Sequence, residues 1–141
     1  MNQAMTADAL SLEECLRLLE TVSVGRVVFS DAALPAAQPV NFVPLRDGVV
    51  LALSQGSPGA AELQGAVVAF EADAYDDEQQ TAWTVLVVGR AEEATDAEAV
   101  RAVARRGAWP WASGPAARIV RVRYERVTGR RVGGGTGHAG G

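Results

Sequence analysis

The chain of 141 residues has no lysine, one cysteine (Cys15) and one histidine (His138), and these scarcities exclude several kinds of chemistry. Without lysine there is neither a Schiff base for pyridoxal phosphate nor a Walker-type phosphate loop, because both need its ammonium group. One histidine near the C-terminus and one cysteine supply neither a Ser-His-Asp triad nor the ligands of a zinc site. We therefore expect no metal centre, and a disulfide within the chain is excluded.

Long apolar runs are also absent. No apolar run approaches the 18 residues of a membrane-spanning helix, and residues 1–10 lack the basic start and apolar centre of a signal peptide. We therefore expect a cytoplasmic protein without a membrane partner, in keeping with a single reduced thiol.

Basic charge is scarce in the first 100 residues. They carry a net charge of −12, whereas residues 101–141 carry +8, and the whole chain carries −4. The negative total argues against nucleic acid as a partner. The arginine-rich C-terminal part either balances charge within the fold or forms a local anion site.

Two segments have the pattern of amphipathic helices. Ser11 to Glu14 reads as a capping box, followed by apolar residues at intervals of three and four that include Cys15. Thr95 to Glu98 repeats the capping pattern and opens a helix to about Arg106. A third, two-turn helix is expected over residues 59–64, between the Ser57-Pro58 start signal and Gly65.

Six segments are rich in β-branched or aromatic residues and read as strands: Arg26–Ser30, Ala37–Val43, Val49–Leu53, Ala66–Ala72, Ala82–Ala91 and Arg118–Arg126. Pro39 and Pro44 require the second strand to lie at a sheet edge, to begin at Pro39, or to end before Pro44. Six antiparallel strands with three short helices predict a mainly β (α+β) domain, either a small barrel or a sandwich. Residues 1–10 are predicted to be a flexible leader, and the glycine-rich residues 133–141 a disordered tail.

Each candidate functional site also has a simpler structural interpretation. The Gly-Ser turn over residues 54–59 enters the short helix and offers backbone donors to an anion, although Ser57 as a plain N-cap is the simpler interpretation. Trp83, Trp109 and Trp111 could wall a flat ring together with Phe42, or pack in the core. The acidic run over residues 76–78 is typical of a solvated loop. The G-x-G-x-x-G in the tail is spurious, because no helix follows it.

The order of these segments resembles the pyridoxamine 5'-phosphate oxidase-like family, which has an FMN-binding split barrel. The resemblance covers residues 11–132 and rests on the succession LSLEECLRLLETVSVGRVVFS, PVNFV, GVVLALSQGS, VVAFEAD, TAWTVLVVGRAEEATD and PWASGPAARIVRVRYERVTGRR. It implies a six-stranded antiparallel split β-barrel with short flanking helices. It also implies a homodimer with FMN at the subunit interface and oxidoreduction of an unidentified small molecule. Because a flavin carries its own redox chemistry, no catalytic side chain is assigned.

The resemblance also implies positions for the cofactor. The FMN phosphate would lie at the turn that contains Ser54, Gly56 and Ser57. The isoalloxazine ring would lie along the second strand, and further contacts would come from the fifth strand and from near the partner subunit. The residues matched to these last three places are Val40, Asn41 and Phe42, then Trp83 and Thr84, then Trp111.

The phosphate segment departs from the family pattern. Many relatives read Arg-Thr-x-x-Gly-Ser-Lys, and here Ala52, Leu53 and Pro58 replace the arginine, threonine and lysine. Each lost charge-assisted hydrogen bond is worth about 1.5–3 kcal/mol, so two could weaken binding by several hundredfold. The lost phosphate contacts could be replaced by Arg118, Arg121 or Arg123 if one of these side chains reaches the turn.

These substitutions leave alternatives open. A cofactor-free split-barrel dimer could serve as a binding or structural module. Another flavin-like or tetrapyrrole ligand could occupy the pocket, although for haem neither His138 in the tail nor Cys15, which is expected to be buried, is a suitable axial ligand.

Overall fold

The computed structural model describes residues 7–53, 63–106 and 118–133, and within them it shows a closed six-stranded antiparallel barrel. This confirms the predicted mainly β barrel. The strands are β1 (Ala7–Ala9), β2 (Val24–Asp31), β3 (Leu34–Pro44), β4 (Gly48–Leu53), β5 (Val67–Asp76), β6 (Thr81–Glu93), β7 (Arg118–Arg123) and β8 (Arg126–Gly133). The helices are α1 (Leu12–Leu19) and α2 (Ala97–Arg106). Among the described residues, no helix has the length and apolar character needed to cross a bilayer.

The barrel closes through β6. Its strands follow the order β6-β5-β2-β3-β4-β7, and β7 returns to β6 by pairing with Ala91–Glu93. Along the same edge of β6, residues 81–88 pair with β8, which lies outside the closed barrel and carries β1 on its far side. β6 is therefore shared between the barrel and a short side sheet.

Alternation along the strands separates an apolar interior from an outer face. Inward side chains fill the barrel, and the Phe42 and Phe70 rings meet there with centroids 4.6 Å apart. Helix α1 packs mainly against β8, where Cys15 is fully buried. Helix α2 covers part of the outer face, where Ala99 joins Val50 in a second small apolar cluster.

Strand β3 contains both prolines that were expected to limit it. The Phe42 amide donates to the Ser23 carbonyl at 3.1 Å, and hydrogen-bonded pairs alternate along an antiparallel ladder. Pro39 therefore lies at a non-hydrogen-bonded position opposite Arg26, so its missing donor interrupts nothing. Residues 34–40 pair with β2 alone among the described strands, so the edge interpretation is correct for this half of β3.

The capping box of α1 is confirmed, because Ser11 Oγ accepts from the Glu14 amide at 3.1 Å and Glu14 Oε1 accepts from the Ser11 amide at 3.4 Å. The second predicted capping box is wrong. Helix α2 begins after Asp96, whose carboxylate accepts from the Ala99 amide at 3.2 Å.

The last predicted strand, over residues 118–126, is two strands. It breaks at Tyr124, whose amide donates to the Asp47 carbonyl at 3.2 Å and whose hydroxyl donates to the Leu45 carbonyl at 2.8 Å. These bonds hold Tyr124 against the β3–β4 hairpin, so the chain leaves β4 there and continues as β8.

Residues 7–9, which were expected to belong to the flexible leader, form β1. The helix expected over residues 59–64 falls almost entirely outside the described residues, as do residues 134–141 of the tail.

Candidate functional site

Four polar side chains form a cluster on the outer face of β2, β5 and β6, hereafter the outer-face cluster: Arg26, Glu71, Asp73 and Thr84. Arg26 donates from Nε and Nη2 to Glu71 Oε1 at 3.2 and 2.9 Å, and from Nη2 to Asp73 Oδ2 at 2.8 Å. The Thr84 hydroxyl donates to Glu71 Oε2 at 2.9 Å. The Glu71 carboxylate is thus bonded on one oxygen to β2 and on the other to β6.

The charges of the cluster interact strongly. Burial raises the pKa of Glu71 above its ordinary value, and the adjacent Asp73 raises it further, while Thr84 and Arg26 act in the opposite direction. Hydrogen bonding with Glu71 and then with Arg26 lowers the pKa of Asp73. In this cluster the surroundings therefore favour the ionised form of Asp73 and disfavour the ionised form of Glu71.

Asn41 lies on the outer face of β3, between Val24 of β2 and Ala52 of β4. Its Oδ1 atom is buried and accepts no hydrogen bond from residues 7–53, 63–106 or 118–133. A buried acceptor without a partner is costly in a protein, so it points to a donor that is supplied from outside the chain. Ala52 is two residues before Ser54, which puts Asn41 beside the strand end that leads into the expected phosphate turn.

Asn41 and Thr84 lie on the outer face of the sheet, whereas the other described residues that were predicted to contact the ring have side chains in the interior. Val40 and Phe42 point into the barrel and are almost fully buried, and Trp83 is also part of the core. Their side chains are therefore not available to a ligand on the outer face. Ser54, Gly56, Ser57 and Trp111 lie outside the described residues.

Of the three arginines considered as replacements for the lost phosphate contacts, Arg118 is the one that lies at the end of β4. It is in register with Leu53, the last residue of β4. Arg121 is in register with Val50 and is held by Asp96 at 3.1 Å and by Asp47 at 3.3 Å. Arg123 is opposite Gly48, about 17 Å from Leu53 along the strand, and is paired with Glu92.

A cleft of about 300 Å³ adjoins the outer face beyond Asn41. It lies between the end of α1, the end of β3 and the last turn of α2, and its lining residues are Glu20, Val43, Pro44, Ala102, Arg105 and Arg106. Arg106 spans one side by donating from Nη2 to the Val22 carbonyl at 3.1 Å. The combination of an apolar floor with charged walls suits a small polar molecule.

Sequence reasoning missed Arg26, Glu71 and Asp73. A signal was present, because Glu71 and Asp73 are two residues apart in an apolar strand and therefore share one face. The acidic run over residues 76–78 was expected to be a solvated loop, and it is exposed. It leads from the end of β5 into a turn, where Asp76 Oδ1 accepts from the amides of Glu78 and Gln79 at 3.0 and 3.2 Å.

Comparisons with known proteins agree with this architecture. Residues 11–131 match the family model described as pyridoxamine 5'-phosphate oxidase. The chain is 40% identical over 130 residues to an uncharacterized protein of Mycobacterium tuberculosis, covering 87% of this chain and 84% of that protein.

Two solved structures are similar over nearly the whole fold. The FAD-binding protein of Mycobacterium smegmatis has a TM-score of 0.73 and 30% identity, covering 87% of this chain and 96% of that one. A putative pyridoxamine 5'-phosphate oxidase from Corynebacterium glutamicum has a TM-score of 0.71 and 27% identity, with coverages of 93% and 95%.

Proposed function

This chain belongs to the pyridoxamine 5'-phosphate oxidase family, and from that premise we propose that it is a homodimeric flavoprotein. It binds FMN at the subunit interface and carries out oxidoreduction of a small molecule. The observation that supports the proposal is the buried Oδ1 of Asn41, which lies on the strand where the resemblance puts the cofactor and has no hydrogen-bond partner in the part of the chain that the structure describes. A ligand with a hydroxyl or N–H donor at this point would satisfy it.

The residues present fit a flavin in three respects. Asn41 offers an acceptor, the outer-face cluster offers a polar edge at Thr84, and Arg118 offers a cation at the strand end that precedes the Gly-Ser turn. The turn itself, with Ser54, Gly56 and Ser57, would supply backbone donors to the phosphate. When bound, the flavin supplies hydride or electron transfer.

In this proposal the protein binds the flavin, orients it and encloses it. The Asn41 side chain and the β3 backbone hold the cofactor against the barrel, and the core residues behind them keep that wall rigid. The cleft between α1 and α2 lies two residues further along β3, at Val43. It is the natural position for the small molecule that exchanges electrons with the flavin.

Titration of the purified protein with FMN, followed by flavin fluorescence and visible absorption, tests the proposal. We expect saturable binding at micromolar flavin. Asn41→Ala should weaken it about 3- to 10-fold, because one hydrogen bond to the ligand is lost. Gln79→Ala, which removes an exposed amide side chain in the turn between β5 and β6, is the matched control and should leave binding unchanged. Absence of saturable binding to the wild-type protein would overturn the proposal.

The same titration with FAD distinguishes between the two flavins. The structural relative from Mycobacterium smegmatis is described as an FAD-binding protein, so FAD is the natural competitor of FMN here. If FAD binds more tightly than FMN, the protein is still a flavoprotein, but its cofactor is FAD.

A cofactor-free dimer is the second candidate, and Ala52 favours it. Ala52 faces outward beside Asn41, where relatives offer a charged phosphate contact, and Arg121 and Arg123 are already paired with carboxylates. On this interpretation the double variant Ala52→Arg, Pro58→Lys should create FMN binding that the parent lacks. Leu53 is left unchanged because its side chain is in the core. Tight binding by the parent protein would exclude this candidate.

A further inference from the structure

The outer face of the sheet carries unlike charges on the two strands that flank β6. On β5, the Asp73 side chain is 41% exposed, and hydrogen bonds with Glu71 and with Arg26 lower its pKa, so it is ionised at neutral pH. On β8, the side chains of Arg126 and Arg130 are exposed and make no hydrogen bond or ion pair within the described ranges. The face therefore presents a carboxylate on one side of β6 and unpaired guanidinium groups on the other.

An apolar strip separates these charges. Leu86 of β6 is 36% exposed and is in register with Glu71 of β5 and with Thr128 of β8. Helix α1 packs on the opposite face of β8, where a Cβ atom at Gly129 would lie 2.6 Å from Cys15 Sγ, so this helix leaves the outer face open. An exposed apolar strip between unlike charges is suited to association with another protein surface.

Two identical faces can pack together about a two-fold axis that lies between them. An axis along β6 exchanges the two sides of the face, so that β5 of one subunit lies over β8 of the other. Asp73 and Arg130 belong to one row of the sheet, because each is in register with Thr84. Such an axis therefore brings Asp73 of one subunit opposite Arg130 of the partner subunit. An axis across β6 would place β8 on β8 and arginine on arginine, and like charges are costly at an interface.

We infer that two copies of the chain associate through this outer face about an axis along β6, with Asp73 of each subunit paired to Arg130 of the partner subunit. Leu86 meets its own copy near the axis. Packed sheets lie about 10 Å apart, a gap that the long arginine side chain crosses in large part. The inference rests on the proposed function for the homodimer, and it adds the charges that select one arrangement of the two subunits.

This arrangement also fits the position proposed for the cofactor. The strands follow the order β1-β8-β6-β5-β2-β3, so the axis along β6 lays β1 of the partner over β2. The partner's sheet thus ends above β2, and Asn41 on β3 lies just beyond its edge. A flavin along β3 would then lie against both subunits.

Charge reversal tests the pairing. Wild type, Asp73→Arg and Arg130→Glu are compared by sedimentation velocity, both without flavin and saturated with FMN. Each variant should dimerise about 100-fold or more weakly than the wild type, because like charges meet twice in its own dimer. An equimolar mixture of the two variants should dimerise again, since both contacts of the mixed dimer then join unlike charges. Native mass spectrometry identifies this heterodimer by the different masses of its chains.

Arg101→Glu is the matched control, because Arg101 is exposed on α2, away from the outer face. The variant should dimerise like the wild type, and it should form no heterodimer with Asp73→Arg stronger than the wild type does. A heterodimer that forms equally well with this control would show that the rescue does not depend on Arg130.

The outcomes separate this inference from the proposed function. A monomeric wild type would overturn the homodimer itself. If the wild type is a dimer but both variants stay dimeric, or their mixture gives no heterodimer, the homodimer stands and the pairing of Asp73 with Arg130 is wrong.

A crosslink gives a second measurement, because Asp73→Arg puts a second cation beside Arg26 and its fold is checked by far-ultraviolet circular dichroism. If that variant does not fold, a short bis-maleimide should still join two subunits of Leu86→Cys. It should join neither Val100→Cys, on α2, nor the wild type, whose Cys15 is fully buried. A Leu86→Cys dimer that does not crosslink would overturn the arrangement.

Discussion

At two positions in the barrel, backbones approach each other so closely that only glycine fits. A Cβ atom at Gly89 would lie 2.0 Å from the Arg123 carbonyl oxygen, and one at Gly48 would lie 2.4 Å from that of Val122. Both glycines face β7, the strand that closes the barrel. Neither backbone can move without breaking strand pairing, so these positions exclude a side chain.

Gly89→Ala should therefore destabilise the protein by about 1–3 kcal/mol or more. The matched control is Gly65→Ala, where the cost comes only from a backbone φ of +78°, because no atom lies within 4 Å of the added methyl group. That cost should be about 1 kcal/mol. Urea denaturation of both variants measures the difference, and equal losses would contradict the steric explanation.

The ion pair between Asp96 and Arg121 predicts a dependence of stability on pH. Hydrogen bonding to Arg121 lowers the pKa of Asp96 in the folded protein. A lowered folded pKa gives stability that is present above the ordinary carboxyl range and is lost as the pH falls through the folded value.

Asp96→Asn keeps a side chain that can cap α2 but removes the charge. The variant should be less stable than the wild type at pH 7, and the gap should narrow as the pH falls below about 4. Urea midpoints between pH 7 and pH 3 give this comparison. A constant gap over that range would show that the charge of Asp96 does not contribute.

Among the elements, strand β3 shows how the ladder decides where proline is tolerated. Ala36 is opposite Phe29 at a hydrogen-bonded position, as judged from the Phe42–Ser23 bond, whereas Ala37 is opposite Val28 at a non-bonded one. Ala36→Pro should cost about 2 kcal/mol or more, because it leaves a carbonyl without its donor. Ala37→Pro should cost clearly less. Thermal denaturation of the two variants checks the order, and a reversed order would refute the assigned register.

Most elements could be predicted from local pattern, and the failures have a common cause. Apolar periodicity located α1 and each barrel strand to within a few residues. The break at Tyr124 was missed because it depends on bonds to Leu45 and Asp47, which are distant in sequence. The cap of α2 was misplaced because Asp96 both caps the helix and pairs with Arg121 of β7.

The site was harder to predict than the fold for the same reason. Asn41 and Thr84 were identified through the resemblance, and both lie on the outer face. The neighbouring Val40, Phe42 and Trp83 were matched to the same strands, but strand alternation turns their side chains inward. Glu71 gains its significance only from Arg26 and Thr84, which are 45 and 13 residues away.

At the scale of the whole molecule, an exposed apolar patch adjoins the outer-face cluster. Val28, Ala69 and Val88 are in register across β2, β5 and β6, and Leu86 and Val67 extend the row on either side. Val28, Leu86 and Val67 are 37%, 36% and 58% exposed. Apolar area of this kind beside a polar site is typical of an interface, and it is the surface on which we expect the second subunit.

Leu86→Glu should therefore give a monomer where the wild type is a dimer, as measured by sedimentation velocity. Val100→Glu is the matched control, because Val100 is 44% exposed on α2, away from the patch. It should remain dimeric. A Leu86→Glu variant that still dimerises would exclude this patch as the interface, and a monomeric wild type would exclude the dimer.

Closure of the barrel through β7 also affects how the chain reaches its native state. The pairing of Gly48 with Arg123 joins residues 75 positions apart, and the remaining β4–β7 pairs span 65 positions or more. During synthesis, β2 to β6 emerge and can pair as an open sheet while the closing strand is still unmade. Such distant contacts slow folding. Until β7 arrives, the free edges of β4 and β6 are open to pairing with other chains, so a ribosome-bound chain is at greatest risk of aggregation before residues 118–123 have emerged.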